Sequence, residues 1–252
     1  MKVLVTRPEP AGTELCELIK KVGGLALHHP LIRLSPTKPS LALCETIQSA
    51  DIIIAVSPAA VSHTHQTLVE YGITWPTNRI YLGVGQKTAH DLSNYSERNV
   101  HYPPVSDSEN LLNLPELKHV SEKKIVILRG NGGRELIFQQ LTQRGAKVSY
   151  LEVYRRTLIP ISPNDIDKWQ SAALETIIVT SGEQLDYLIA QSPQPVAFWF
   201  TQLTLLVPSE RIAKLAKTHG FKNVITTQGA SNSTLFAALQ RLETGLKHDE
   251  QK

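Results

Sequence analysis

Short apolar runs alternate with segments whose apolar residues recur every three or four positions. Residues 3–6, 52–56, 80–84, 125–128, 177–180, 204–207 and 224–227 read as buried strands of four or five residues. Between them, residues 13–22 place Leu15, Leu18, Ile19 and Val22 on one helical face, with Gly23 as the stop. Further helices are predicted over 40–49, from Ser57-Pro58 to near Gly72, onward from Gly85, over 134–144 before Gly145, from Ser162-Pro163 to about 174, and onward from Ser181-Gly182. Ser209 is read as the cap of a helix over 210–219 that Gly220 stops, and 232–242 as the closing helix. Residues 25–34 and 147–158 are long extended runs, and 36–39 a linker. Residues 101–105 read as an edge strand, since Pro103 and Pro104 cannot donate to a ladder, and 108–114 as a short helix. Residues 192–202, with Pro193, Pro195 and Trp199, give no clear period. Strand–helix alternation over the whole length predicts an α/β protein with parallel sheets.

The pattern also repeats. A shift of 122 lays Lys2–Arg7 on Lys124–Arg129, Gly23 on Gly145 and Arg33 on Arg155. A shift of 124 lays Asp51–Ser57 on Glu175–Ser181, Leu82 on Leu206, Ala89 on Ala213 and Leu111 on Leu235. The chain thus reads as A–B–A′–B′, two similar five-stranded units. They could be contiguous, A with B, or swapped, A with B′. The swapped arrangement accounts for the two extended runs that lack a following turn, which would cross side by side as a two-stranded hinge. On that reading residues 1–34 plus 160–252 form one domain and 38–152 the other, with 31–37 and 153–159 as the linker.

Composition narrows the chemistry. The 252 residues carry a net charge of +3, too mild to argue for nucleic acid. The charge is uneven: residues 129–156 hold six basic side chains, Arg129, Arg134, Arg144, Lys147, Arg155 and Arg156, against Glu135 and Glu152. Such a face suits an acidic small molecule; Arg144 and Lys147 are expected to be solvated. Two cysteines, Cys16 and Cys44, fall among apolar neighbours and form no disulfide framework. No apolar run reaches membrane-spanning length and no signal region opens the chain, so a cytosolic location is expected.

The stretch 124–135, Lys-Ile-Val-Ile-Leu-Arg-Gly-Asn-Gly-Gly-Arg-Glu, carries the strongest local signal. A buried strand enters a glycine turn and then a helix expected from about Arg134, whose free N–H groups would face an anion. A tight connection with solvated arginines fits the same residues, and the Gly-Lys-Ser/Thr ending of a P-loop is missing. Other strand ends hold Arg7, Ser57, Gly85, Thr180-Ser181-Gly182, Ser209 and Thr226-Thr227, where parallel sheets bind ligands. The set is rich in hydroxyls, glycines and arginines and lacks a carboxylate pair or a cysteine or histidine nucleophile. Gly83-Val84-Gly85-Gln86-Lys87-Thr88 has Thr88 where a dinucleotide fingerprint has its third glycine. His63 and His65 are spaced for different helix faces, and His28 and His29 for opposite strand faces, so neither pair suggests a metal. Ser57 and Ser181 are expected to cap helices. Tyr154, on the proposed crossing strand, would offer its phenol to a cleft or pack between strands.

Together Val3-Leu4-Val5-Thr6-Arg7-Pro8, Pro30-Leu31-Ile32, Ser57-Pro58, the run Leu128–Glu135, Val153-Tyr154-Arg155 and Val179-Thr180-Ser181-Gly182 resemble uroporphyrinogen-III synthases, in order over nearly the whole chain, with the gammaproteobacterial branch nearest. The resemblance implies two flavodoxin-like α/β domains joined by a two-stranded β-ladder. It implies hydroxymethylbilane as substrate, a linear tetrapyrrole with acetate and propionate carboxylates, closed to uroporphyrinogen III with inversion of ring D and loss of water. It further implies neither metal nor organic cofactor, and neither nucleic acid nor membrane as partner. The expected form is a cytoplasmic monomer that contacts the preceding enzyme of the sequence at most transiently. Tyr154 then matches a tyrosine that assists departure of the hydroxyl. Arg7, Ser57, Gly85, Thr88, Arg129, Gly130, Asn131, Gly132, Arg134, Thr180, Ser181, Gly182 and Ser209 are the candidate substrate contacts. One departure stands out: Val207-Pro208-Ser209-Glu210-Arg211 puts an acidic Glu210 in a turn that many members build as Gly-Pro-Thr-Thr. A non-catalytic clamp for an acidic ligand and a nucleotide-dependent transferase are the rival classes.

Overall fold

The computed structural model describes residues 1–249. The chain begins with β1 (Lys2–Val5), α1 (Ala11–Lys21) and β2 (Leu25–His28). There follow β3 (Ile32–Pro36), α2 (Leu41–Ser49), β4 (Ile52–Ala55), α3 (Pro58–Glu70), β5 (Ile80–Gly83), α4 (Gln86–Ser96), β6 (Val100–His101), α5 (Ser108–Leu111), a 3₁₀ turn (Pro115–Leu117), β7 (Lys124–Gly130), α6 (Leu136–Gln143) and β8 (Lys147–Leu158). The remainder is α7 (Pro163–Ser171), β9 (Thr176–Ile178), α8 (Gly182–Ala190), α9 (Gln194–Gln202), β10 (Thr204–Val207), α10 (Glu210–Thr218), β11 (Asn223–Thr226) and α11 (Asn232–Asp249). Two compact units result, one from residues 1–33 with 157–252 and one from 34–156.

The first unit holds a five-stranded sheet in the order β11-β10-β9-β1-β2, with every pair parallel. Val3 and Val5 point to the face covered by α1 and α11, where Leu15, Ile19, Leu235 and Leu239 pack. The second unit holds a sheet in the order β3-β8-β7-β4-β5-β6. It has six strands where the sequence reading expects five, because β3 adds to the free edge of β8. Within this unit the Thr37 N–H donates to the Val153 carbonyl at 3.1 Å. Strands β4 to β8 are mutually parallel. Residues along β4 alternate between two cores: Ile53 and Ala55 join Val61 and Leu68 of α3, and Ile52 and Ile54 join Ile137 and Leu141 of α6. A strand buried on both faces reads as the uninterrupted apolar run seen in the sequence.

Most predicted elements appear within three residues of their expected ends; the closing helix instead runs on to Asp249, past the expected 242, and five further features differ for physical reasons. The run 25–34 is two strands, broken at His29-Pro30-Leu31 because Pro30 has no N–H to donate. The edge strand expected over 101–105 shrinks to Val100–His101, ahead of the two prolines. Helix α6 starts at Leu136 rather than Arg134, with Glu135 at its N-cap position and Gly132 and Gly133 ahead of it at φ of 73° and 114°. Residues 194–202, unassigned in the sequence, are helix α9, which starts with Pro195 in its first turn. Arg144, expected to be solvated, donates through Nη1 to the Leu112 and Leu117 carbonyls at 2.8 Å each and so ties α6 to the preceding loop.

Candidate functional site

In the second unit, α3 follows β4 onto one face of the sheet while α6 follows β7 onto the other, and β4 and β7 are neighbours. Consecutive connections to opposite faces leave a crevice at the carboxyl ends of that strand pair, the usual ligand position in open α/β sheets. A cavity of about 170 Å³ lies there, lined among others by Val56, Val84, Arg129, Gly130, Gly133 and Arg156.

Arg129 anchors the cavity. It is 3% exposed; its Nε donates to the Gly130 carbonyl at 3.1 Å and its Nη1 to Glu135 Oε1 at 3.0 Å. Its guanidinium lies 4.2 Å from the centroid of the Tyr150 ring, a cation–π contact. The Tyr150 hydroxyl donates to the other Glu135 oxygen at 2.7 Å. That bond, with the Arg129 contact, holds the Glu135 carboxyl below the usual range against the opposing effect of burial. Burial first, and the Glu135 bond second, push the Tyr150 phenol up to about 12. Gly132 also lines the cavity, and Arg134 does so while its guanidinium pairs with Glu109. Asn131 folds back: its Oδ1 accepts from the Arg156 N–H at 2.5 Å and its N–H donates to the Tyr154 carbonyl at 3.1 Å.

Tyr154 sits beside this turn. A register shift between Arg129 and Gly130 sets Gly130 opposite Tyr154, and a Cβ on Gly130 would collide with the ring. The ring is 1% exposed and packs in the α2–α3 core, 5.8 Å from the His63 ring. Its hydroxyl lies 3.2 Å from Ser57 Oγ and accepts from Arg156 Nη2 at 3.4 Å. Ser57 also caps α3, accepting from the Ala60 N–H at 3.1 Å. Gly85 begins α4 with no room for a side chain, since a Cβ would collide with the Ser106 side chain. Thr88, by contrast, is 4% exposed inside α4 and does not line the cavity.

The first unit presents equivalent turns. Thr6 Oγ1 donates to the Ile178 carbonyl at 2.7 Å and locks the ends of β1 and β9 together. Arg7 follows, its Nη1 bonded to Asn232 Oδ1 at the start of α11. Burial lowers the Arg7 pKa, with the Glu14 charge opposing. Thr180 bonds Gln184 Oε1 through both its N–H (3.0 Å) and its hydroxyl (3.1 Å). Ser181 caps α8 by accepting from the Gln184 N–H at 3.2 Å. A Cβ on Gly182 would press on Leu215 Cδ2 at 3.2 Å and stand at ordinary contact distance, 3.7 Å, from Arg211 Nη1. Ser209 occupies the N-cap position of α10 without a side-chain bond to the helix.

The structure therefore gathers Arg129, Gly130, Gly132 and Arg134 in one cavity, with Tyr154, Ser57 and Asn131 bonded around Gly130 and Arg156. Sequence reasoning missed Arg156, Tyr150 and Glu135 as members; no local signal marks Tyr150, whose place near Arg129 comes from the β7–β8 register, with Ile127 opposite Tyr150. His63 and His65 do not converge: the first meets Gln66, and the second stacks on Tyr95 and accepts from the Trp75 indole N–H at 3.3 Å. Among the described residues no group of three His, Cys, Asp or Glu side chains is placed to hold a metal.

Parallel sheets, a crevice where helices diverge and an arginine buried beneath a glycine turn define an α/β protein with a buried positive charge at its strand ends. The family model for uroporphyrinogen-III synthase HemD matches residues 13–237. The chain is 39% identical over 246 residues to the uroporphyrinogen-III synthase of Escherichia coli K12, covering 95% of this chain and 100% of that one. The Salmonella typhimurium uroporphyrinogen-III synthase is 38% identical with the same coverage, 95% and 100%. The fold is that of a mutant uroporphyrinogen III synthase from Thermus thermophilus, at TM-score 0.70 and 17% identity over 97% of this chain and 99% of that one. The uroporphyrinogen-III synthetase of Helicobacter pylori 26695 matches at TM-score 0.59 and 14% identity over 95% and 98%. The chain belongs to the uroporphyrinogen-III synthase family.

Proposed function

We propose that the protein closes hydroxymethylbilane to uroporphyrinogen III, with inversion of ring D and loss of water. The observation that carries the reading, beyond family membership, is the Arg129–Gly133 cavity with the Tyr154 hydroxyl bonded beside it. The substrate carries carboxylates on every ring, and a buried guanidinium with backbone N–H groups at a helix start supplies charge-assisted hydrogen bonds to such groups. The strand-end turns of both units, with Arg7, Ser57, Gly85, Thr88, Asn131, Arg134, Thr180, Ser181, Gly182 and Ser209, are the proposed further contacts. Thr88 is buried inside α4 and lies outside the lining of the Arg129 cavity.

In the reaction the ring A hydroxymethyl carbon loses its hydroxyl, which leaves as water after gaining a proton, and a conjugated azafulvene cation remains. Ring D attacks that carbon through its already substituted α-carbon to give a spiro intermediate. The older bond to ring D breaks, the ring turns over, and closure through its free α-carbon releases a proton. Tyr154 is the proposed donor toward the departing hydroxyl, its own oxygen aligned by Ser57 and Arg156. Holding the linear substrate folded is the larger task, so positioning is expected to dominate.

The architecture is proposed as two flavodoxin-like domains, residues 1–34 with 160–252 and residues 38–152, joined by a ladder of 31–37 with 153–159. Support comes from the strand orders: β2-β1-β9-β10-β11 and β8-β7-β4-β5-β6 each read 2-1-3-4-5 once β7 is counted as first in its sheet. Among the described residues no helix is long and apolar enough to cross a membrane, and a cytoplasmic monomer is proposed. The test supplies hydroxymethylbilane and separates type I from type III isomers after oxidation. Excess type III product is expected; type I alone, at the spontaneous rate, overturns the reading.

A further inference from the structure

The carboxylate nearest the Arg129 guanidinium belongs to the chain itself. Glu135 meets Arg129 Nη1 at 3.0 Å and the Tyr150 hydroxyl at 2.7 Å, so it occupies one guanidinium donor and the phenol that an incoming carboxylate would use. Arg129 does not depend on it for position. The Nε–Gly130 bond, the Tyr150 ring at 4.2 Å and near-complete burial fix the guanidinium independently. Tyr150 is held in turn by β8 and by Phe138, whose ring centroid lies 4.8 Å away.

Glu135 is placed quite differently. Its side chain is 49% exposed, against 4% for Arg129. It precedes α6 yet makes no side-chain capping bond to that helix, so the helix backbone does not rely on its orientation. Gly132 and Gly133, both at positive φ, lie just before it and allow the turn to adjust.

We propose that Glu135 is a displaceable internal counterion, which fills the carboxylate position beside Arg129 and Tyr150 while the cavity is empty and swings outward when a ligand carboxylate enters. The proposal rests on the proposed function, which makes that ligand group an acetate or propionate of the tetrapyrrole. A buried guanidinium without a countercharge is costly, and the exchange keeps one carboxylate beside Arg129 throughout. The depressed Glu135 carboxyl means the resident competitor is ionised at neutral pH. Glu135 accordingly weakens binding and favours ligands that present a carboxylate at this depth over those that do not.

Glu135→Gln keeps the size and removes the charge. Its expected effect is a fall of about three- to tenfold in the KM for hydroxymethylbilane. The dissociation constant of uroporphyrin III, the oxidised and unreactive octacarboxylate, should fall by a similar factor in a fluorescence titration. In an Arg129→Gln background the same change should leave that constant where it was, since there is no guanidinium to release. Glu135→Ala must move binding in the same direction, which covers the case of one variant folding poorly. A KM and a dissociation constant that rise, or stay level, on Glu135→Gln in the native background overturn the proposal. The two readings fail separately: an unmodified protein that makes no type III isomer sinks the proposed reaction, while the uroporphyrin titration still judges Glu135.

Discussion

Gly130 has no side chain because the Tyr154 ring takes that space: a Cβ would meet one ring carbon at 2.6 Å and a second closer still. The ring is in the core and cannot retreat as a flexible surface side chain could. Gly130→Ala should therefore cost about 1–3 kcal/mol, as overpacking does, read as a lower urea midpoint with an unchanged slope. An unchanged midpoint would mean that the β7 bulge relaxes freely. Tyr154→Phe asks the opposite question, because it keeps the ring and deletes only the hydroxyl. Stability should move little, and the rate of type III product should fall on the order of 10²-fold, the lower end for loss of a proton donor. Turnover at the native rate would remove any acid role for this phenol.

Serines at helix starts separate capping from ligand contact. Ser57 caps α3 and also meets the Tyr154 hydroxyl, whereas Ser209 sits at the α10 N-cap with no side-chain bond to it. Ser57→Ala should cost about 1 kcal/mol of stability, and Ser209→Ala less than about 0.5 kcal/mol, both read by urea unfolding. A rise in KM for Ser209→Ala without a stability change would place that hydroxyl on the ligand; a stability loss as large as that of Ser57→Ala would contradict the difference in their bonding. The caps were legible because Ser-Pro and Ser-Gly after an apolar run are local signals. Helix α9 was not legible, since Pro193, Pro195 and aromatics at 198–200 blur its period, and its buried Phe200 packs against the distant Trp169, with ring centroids 5.9 Å apart. In the sequence Glu135 only offsets the basic charge of residues 129–156; its tie to Tyr150 depends on a register that only the β7–β8 pairing fixes.

Across the whole chain the repeat reappears as matching strand positions: β1 and β7 each sit between an A-type and a B-type strand, and β9 and β4 are their respective inner neighbours. The offsets of 122 and 124 were readable because strand cores and glycine stops persist while identities fade. Long-range charge environments were not readable, and His29 is one that should govern behaviour in acid. It lies just past β2, its ring 5.1 Å from Trp169, with Asp165 at 3.8 Å, His28 beside it in sequence and the Pro160 backbone within reach. Burial lowers its pKa, outweighing the Asp165 charge. The folded state thus disfavours the protonated ring, and protons bind the unfolded chain more readily. Its contribution is present above the unfolded value of about 6.5 and is lost as pH falls through the lower folded value. Glu135 and Asp165 have the same sign at lower pH. The Tyr150 bond leads for Glu135; for Asp165, bonds from Ser162 and the His29 and Lys168 charges overcome burial. Their contributions are present above the ordinary carboxylate range, about 4, and fade below it. The melting temperature should therefore drop in two steps on acidification, one below about pH 6.5 and one below about pH 4. His29→Asn should flatten the first step and keep the second, because it removes the titrating group while leaving both carboxylates. An identical pH profile in the variant would assign the first step elsewhere.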